Sequence, residues 1–316
     1  MDIFLPEKQL KLYEFDNLFS LFSNLYEKNK LPNVVMLSGP KGIGKATFAY
    51  HLINSILSKS EEDPYSFQDF EINSNNNSFN LIQNNVHPNF FILNDDKSVE
   101  TIKVDQIRSL IKFLNKSSYL KNIKIVLIDN AEYLNINSSN ALLKSLEEPS
   151  ANTFFFIINN ESYPVIETIR SRSLEFKFHL NLSQKINVYN KLCTKFELSY
   201  NNEDVDNFLY FETPGNLFKY QHALKDSNLN IFKDVYQCIL FLMDKYKSKK
   251  DNEILKLLTL LIEKYFNNLS VDNFSKVNVY YNCKSKIMKL FDNMKKYNLD
   301  KKNIFSNINE ILHNEI

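Results

Sequence analysis

Residues 34–50 read VVMLSGPKGIGKATFAY, from Val34 to Tyr50. The apolar run Val34–Leu37 suits a buried parallel strand. Ser38–Gly44 is a turn, and a helical pattern runs from Lys45 to about Ser58. Gly39 to Lys45 has the spacing G-x-x-x-x-G-K. Glycines at these positions let backbone N–H groups turn inward onto phosphate oxygens, and the following helix N-terminus adds a favourable dipole. A lysine in the place of Lys45 reaches the β- and γ-phosphates. Gly39, Pro40, Lys41, Gly42, Ile43, Gly44, Lys45, Ala46 and Thr47 are therefore candidate nucleotide-binding residues. An incidental glycine turn is the bland alternative. Against it, three of the chain's four glycines fall in this loop, between an apolar strand and a helix.

One position departs from the motif. After the lysine, a Ser or Thr hydroxyl ordinarily ligates Mg²⁺, and here the residue is Ala46. Thr47 follows one position later, which on a helix is a rotation of about 100°. The expectation is ATP or ADP binding without productive Mg-dependent hydrolysis.

Outward from the loop, strand and helix patterns alternate. Residues 9–29 read as an amphipathic helix, broken at Leu31-Pro32. Asn89–Leu93, Ile123–Ile128, Thr153–Ile158 and Leu174–Phe178 are strand candidates, and Val104–Leu114 has one apolar helical face. Asn137 or Ser138 is expected to cap a helix to about Glu148, stopped by Pro149. The polar, Asn-rich stretch 59–85 reads as an exposed loop. This alternation predicts a doubly wound parallel sheet up to about residue 178. Beyond Ser183 only helical stretches are found, among them Ile231–Tyr246, Asn252–Phe266 and Val277–Met294, with a break near Thr213-Pro214-Gly215. Lys245–Lys250 reads as a solvated loop between helices.

With 316 residues, two or three domains are expected at roughly 100–200 residues each. Apolar residues make up 44%, enough for buried cores, and a net charge of +1 excludes a polycation. Cys193, Cys238 and Cys283 are far apart and form no C-x-x-C pair, so reduced, buried thiols are expected. The opening MDIFLPEKQLKLYEFD does not read as a secretory leader, and no run of 18 apolar residues occurs, so a cytoplasmic protein with no membrane partner is expected.

IKIVLIDNAEYL places Asp129 at the C-terminal end of a strand, where ligands gather in α/β sheets. Asp129 suits a Mg²⁺-organising role, and alone it suits equally a cap on the next turn; beside the loop, the first reading is favoured. Active ATPases of this kind follow the aspartate with a glutamate that orients water. Asn130 stands there instead, and an amide cannot accept a proton as a carboxylate can. The direction of Glu132, two residues further on, is open.

At this point the chain resembles a known family. NSSNALLKSLEEP (Asn137–Pro149), TFFFIINN and Ser171-Arg172-Ser173 follow in order, with SGPKGIGKAT and VHPNFFIL before them. Together they resemble the bacterial DNA polymerase III clamp-loader family, most closely its delta-prime branch, over most of residues 30–180. The resemblance implies an α/β P-loop AAA+ domain (1–179), a small helical lid (180–224) and an all-α C-terminal collar (225–316). It implies gamma/tau-like ATPase subunits and a delta-like subunit as partners, with the sliding clamp and primer-template DNA reached through the assembly.

The resemblance also implies an arginine finger in trans at Arg172, with Ser173 where the family has Cys, and Arg170 as an assistant. A planar fork of donors is what charge developing on a γ-phosphoryl needs. These are two of only three arginines, the third being Arg108; a pair of surface cations is the bland alternative. Asn159 falls at the sensor position after TFFFII, where touching phosphate or water and closing a turn are equal readings. Gly215-Asn216-Leu217-Phe218 puts Phe218 where motor subunits carry a second sensor arginine. Residues 59–85 offer no cysteines for the four-cysteine zinc module of the motor subunits, so no zinc is expected. These departures favour a stator. An active gamma/tau-like motor and a nucleotide-free scaffold are the alternatives.

Overall fold

The computed structural model of the chain describes residues 5–93, 101–116, 123–161, 163–198, 202–227, 229–249, 252–297 and 299–314. Five strands, β1 (Val34–Ser38), β2 (Phe90–Leu93), β3 (Lys124–Ile128), β4 (Thr153–Asn159) and β5 (Leu174–Lys177), form one sheet in the order β2-β3-β4-β1-β5. All four pairings are parallel. Parallel neighbours need crossover connections, here supplied by α2 (Lys45–Leu57) with α3 (Asn77–Gln83), α4 (Val104–Asn115), α5 (Ile136–Glu147) and α6 (Glu167–Arg170); α1 (Asp16–Glu27) precedes β1.

The pleat sends alternate residues to opposite faces. Val34, Met36, Val126, Ile128, Phe155 and Ile157 share one core with Ile107 and Leu110 of α4 and Leu142 and Leu146 of α5. Val35, Leu37, Ile125, Leu127, Phe156 and Ile158 are equally buried and face the other way. The aromatic rings of α1 and α2 pack together there: Phe22 meets Phe48 edge-on at 5.5 Å, and Phe48 meets Phe178 at 5.1 Å. Central strands covered on both faces read as apolar runs, which is why β1, β3 and β4 are legible in the sequence; edge strand β5, LEFK, is more exposed and alternates instead.

By compactness the chain falls into two units, Met1–Lys191 with Leu209–Asn216, and Leu192–Phe208 with Leu217–Ile316. Their boundary lies among α7 (Leu182–Lys195), α8 (Asn202–Phe211) and α9 (Pro214–Leu224). In the second unit α10 (Val235–Lys249), α11 (Asn252–Asp272), α12 (Val277–Tyr297) and α13 (Lys301–Asn314) pack in sequence, and α13 also packs on α10. They enclose one core that includes Leu242, Leu258, Ile262, Ile287 and Ile308. All three cysteines are buried thiols outside any disulfide, in line with the expectation.

Four local expectations are corrected. The helix expected over 9–29 covers only Asp16–Glu27, because Glu14 and Phe15 both take positive φ, which halts a right-handed helix. Residues before them pair with the supposed loop instead: Leu12 N donates to Phe70 O, and Ile72 N to Leu10 O. Residues 59–85 are accordingly no exposed loop. Tyr65, Ile72, Phe79 and Ile82 are buried, and Asn76 caps α3 through Phe79 N at 2.8 Å. The asparagines cap and close turns there. Asn135 caps α5, not Asn137 or Ser138, by accepting from Ser138 N at 2.8 Å. Finally, the described part of 245–250 continues α10: the Lys245 ammonium donates to Ala223 O at 2.7 Å.

Candidate functional site

The glycine loop leaves β1 at Ser38 and enters α2 at Lys45. Gly42 and Gly44 have φ of +85° and +111°, values that side-chain-bearing residues rarely adopt. Gly42 is also crowded: a Cβ there would clash with Thr213 and Asn216. Gly39 N bonds to Asn159 O at 3.2 Å, tying the loop to the end of β4. Pro40 is exposed and Ile43 buried, while Ala46 and Thr47 are half-buried in the first turn of α2.

Lys45 is only 2% exposed. Its ammonium donates to Gly39 O at 2.6 Å and Pro40 O at 2.9 Å. Burial lowers it to about 8, against the opposing pull of the Asp129 and Glu132 carboxylates. Burial likewise raises Asp129, against the hydrogen bond from Asn130 N and the nearby Lys41 and Lys45 charges. Both groups are thus pushed toward their neutral forms, the direction burial always drives.

β3 brings Asp129 to this end of the sheet, where Asp129 N bonds to Leu93 O at 3.2 Å. Asn130 takes φ +54°, and its Oδ1 accepts from Asn160 Nδ2 at 2.8 Å. Glu132 turns back into the same cluster. It is buried, its Oε2 accepts from Asn160 N at 3.3 Å, and its Oε1 has no hydrogen-bond partner among the described residues. The sequence alone leaves Glu132 undirected; a carboxylate three residues past the strand-end Asp129 is the only signal.

Asn159 and Ser38 are register partners on β4 and β1. Asn159 Nδ2 donates to Ser38 Oγ at 3.2 Å, and its Oδ1 accepts from Glu161 N at 2.9 Å, closing the turn. The Ser38 hydroxyl hydrogen-bonds in turn to Glu175, and that bond, with Arg170 behind it, holds the Glu175 carboxyl below its ordinary range. Arg170 Nε and Nη2 reach Glu175 Oε2 at 3.2 and 2.9 Å. Arg172 goes elsewhere, onto Glu147 at the end of α5. The structure therefore gathers the loop, Asp129, Glu132 and Asn159, and gives the two arginines separate partners. An open cleft of about 310 Å³ lies beside Asn159, Tyr163, Arg170 and Lys177. Phe218 is buried in the helical unit against Phe196, ring centroids 5.2 Å apart.

Residues 15–181 match the family described as DNA polymerase III, delta subunit. The chain is 32% identical over 156 residues to DNA polymerase III subunit delta' of Pseudomonas aeruginosa, covering 49% of this chain and 46% of that protein. The match thus spans about half the length of this relative. A delta' subunit of Buchnera aphidicola subsp. Acyrthosiphon pisum is 25% identical over 263 residues, 81% of this chain and 73% of the relative. Among solved structures, a gamma subunit-related protein of Thermotoga maritima superposes with a TM-score of 0.45 at 17% identity, covering 91% and 96% of the two chains. Among the described residues, no helix is long and apolar enough to cross a membrane. The chain belongs to the DNA polymerase III delta subunit family.

Proposed function

We propose that this member of the DNA polymerase III delta subunit family is a delta-prime-like stator of a clamp loader. In this reading its first 179 residues are an AAA+ module, 180–224 a lid and 225–316 a collar that joins the assembly. It works in the cytoplasm, beside gamma/tau-like ATPase subunits and a delta-like subunit, in loading a sliding clamp onto primed DNA. Its own site holds ATP or ADP without turning it over, and zinc plays no part. Arg172 is offered to ATP bound on a neighbouring motor subunit.

The observation that carries this reading is Asn130. It occupies the place of a water-orienting glutamate, and its side chain is committed to Asn160. Ala46 offers no hydroxyl to a metal, and Phe218 sits in a hydrophobic core. Each of these lacks a group that phosphoryl transfer uses, whereas Arg172, the group that serves a neighbour, is retained. In the test, ATP turnover by the purified chain is compared with Lys45→Ala, and clamp-stimulated turnover of the reconstituted loader with Arg172→Ala. The stator reading expects no difference in the first comparison and a large loss in the second.

A second reading, an active motor, is favoured by one observation. The buried Glu132 Oε1 has no partner among the described residues, and a carboxylate beside Lys45 and Asp129 is chemically able to orient water. Turnover by the isolated chain that Glu132→Gln abolishes would establish it in place of the stator.

A further inference from the structure

Glu147 ends α5, and Arg172 lies two residues past α6. Arg172 Nε lies 2.8 Å from Glu147 Oε1, and Nη2 donates to the same oxygen. Nη1 donates to Thr168 O at 2.8 Å and to Ser171 Oγ at 3.3 Å. All three guanidinium nitrogens are engaged, yet the side chain remains 30% exposed. A guanidinium is a planar fork with fixed donor directions. One acceptor on its Nε–Nη2 edge and two on Nη1 therefore set both its plane and its heading.

The pair is also matched in charge. Glu147 occupies the last turn of α5, where the helix dipole is negative and gives a carboxylate no help. Arg172 supplies the compensating charge from outside the helix. Arg170 is satisfied by Glu175 alone among the described residues, so Glu147 serves Arg172 and not the neighbouring arginine. Both bonds to Glu147 converge on one oxygen, which leaves the second Nη2 N–H pointing away from it.

We propose that Glu147 is the positioning residue of Arg172: its carboxylate holds the guanidinium ready for a phosphate presented by a neighbouring chain. This rests on the reading of Arg172 as an arginine finger. On engagement a phosphoryl oxygen takes the one outward donor, the second Nη2 N–H, and the bonds to Glu147 keep the plane from swinging. Misplacing a catalytic group by about 1 Å costs up to about a hundredfold in rate, so a held finger differs measurably from a loose one.

The test uses the loader reconstituted with its clamp and primed DNA. ATP turnover is measured for Glu147→Ala, Glu147→Asp, Arg172→Ala and the double variant Glu147→Ala/Arg172→Ala. Expected is a loss of about tenfold in kcat for Glu147→Ala with KM within about twofold. Glu147→Asp restores part of that loss, and the double variant equals Arg172→Ala. Should Glu147→Ala not fold, Glu147→Gln keeps the size and one acceptor but not the charge, and is expected to lower kcat about threefold. Normal kcat in the Glu147 variants, with Arg172→Ala impaired, overturns the proposal and leaves the finger reading standing. A double variant slower than Arg172→Ala also overturns it, because Glu147 would then act apart from Arg172. If Arg172→Ala turns over like the wild type, the finger reading itself fails and the proposal falls with it.

Discussion

Thr213 Oγ1 lies 2.7 Å from the carbonyl oxygen of Lys41, a bond across 172 positions of sequence. Asn216 Nδ2 reaches the same oxygen at 3.1 Å, and Gly215 N donates to Gly42 O at 3.1 Å. With Lys45 on Gly39 O and Pro40 O, four consecutive carbonyls of the glycine loop are bonded within the chain. Buried carbonyls left unpaired cost free energy, so Thr213 and the first turn of α9 support the loop from outside it.

That support requires close backbone approach. A Cβ on Gly215 would stand 2.5 Å from Gly42 O, and a backbone oxygen cannot move aside as a side-chain tip can. Gly215→Ala is expected to lower the unfolding free energy by about 1–3 kcal/mol. Urea unfolding measures it; a change indistinguishable from zero would show that the two backbones are not held together.

Lys45 gives stability a pH dependence on the alkaline side. Its folded value of about 8 lies below the ordinary 10.5, so the unfolded chain holds the proton more tightly. The cost of burying the charged form is full below about pH 8 and fades as pH rises toward 10.5. Over that window the wild type is expected to gain stability relative to Lys45→Met. Denaturation of both proteins at pH 7, 8.5 and 10 checks this, and a constant difference contradicts it.

Glu175 gives a dependence of the same sign on the acid side, with its ionised form the favoured one. The Ser38 hydroxyl, ahead of Arg170, holds its carboxyl low. The stability this contributes is present above the ordinary carboxylate value and is lost as pH falls through the folded one. Ser38→Ala is expected to raise the Glu175 midpoint toward the ordinary range, read by carboxyl-carbon NMR titration. An unmoved midpoint would mean that Arg170 alone sets it.

His87 belongs to the VHPNFFIL stretch, and its geometry shows a structural duty. Its Nδ1 accepts from Asn89 N at 3.1 Å, so Nε2 carries the proton and faces Ser78 Oγ at 3.3 Å. Protonating Nδ1 would set two N–H groups against each other. Burial lowers its pKa, against the pull of Glu61. The unfolded chain therefore takes up the proton first, and stability falls as pH drops below about 6.5. His87→Gln is expected to flatten this acid limb of the stability–pH curve; an unchanged slope would assign the limb to other groups.

The elements nearest the loop were legible because their signals are local. Val34–Leu37 and Ile123–Ile128 are apolar runs buried on both faces, and a glycine loop between strand and helix carries its geometry in its own residues. The stretch 59–85 misled because asparagine serves equally in a solvated loop and in a cap. Which role Asn76 takes depends on Asn54 and Asp63, to which it is hydrogen-bonded and which no local pattern joins to it.

By itself, then, the sequence determined the sheet, the glycine loop, the residues Ala46 and Asn130, and the isolation of Arg170 and Arg172 in one segment. Only the tertiary structure decided where the charges go. It turned Lys45 onto its own loop, brought Glu132 back beside Asp129, and assigned Glu175 to Arg170 and Glu147 to Arg172. Periodicity reports which face of an element is apolar, a property of neighbours in sequence. Ion pairs and buried hydrogen bonds are set by distances between elements, and those exist only once the sheet has assembled.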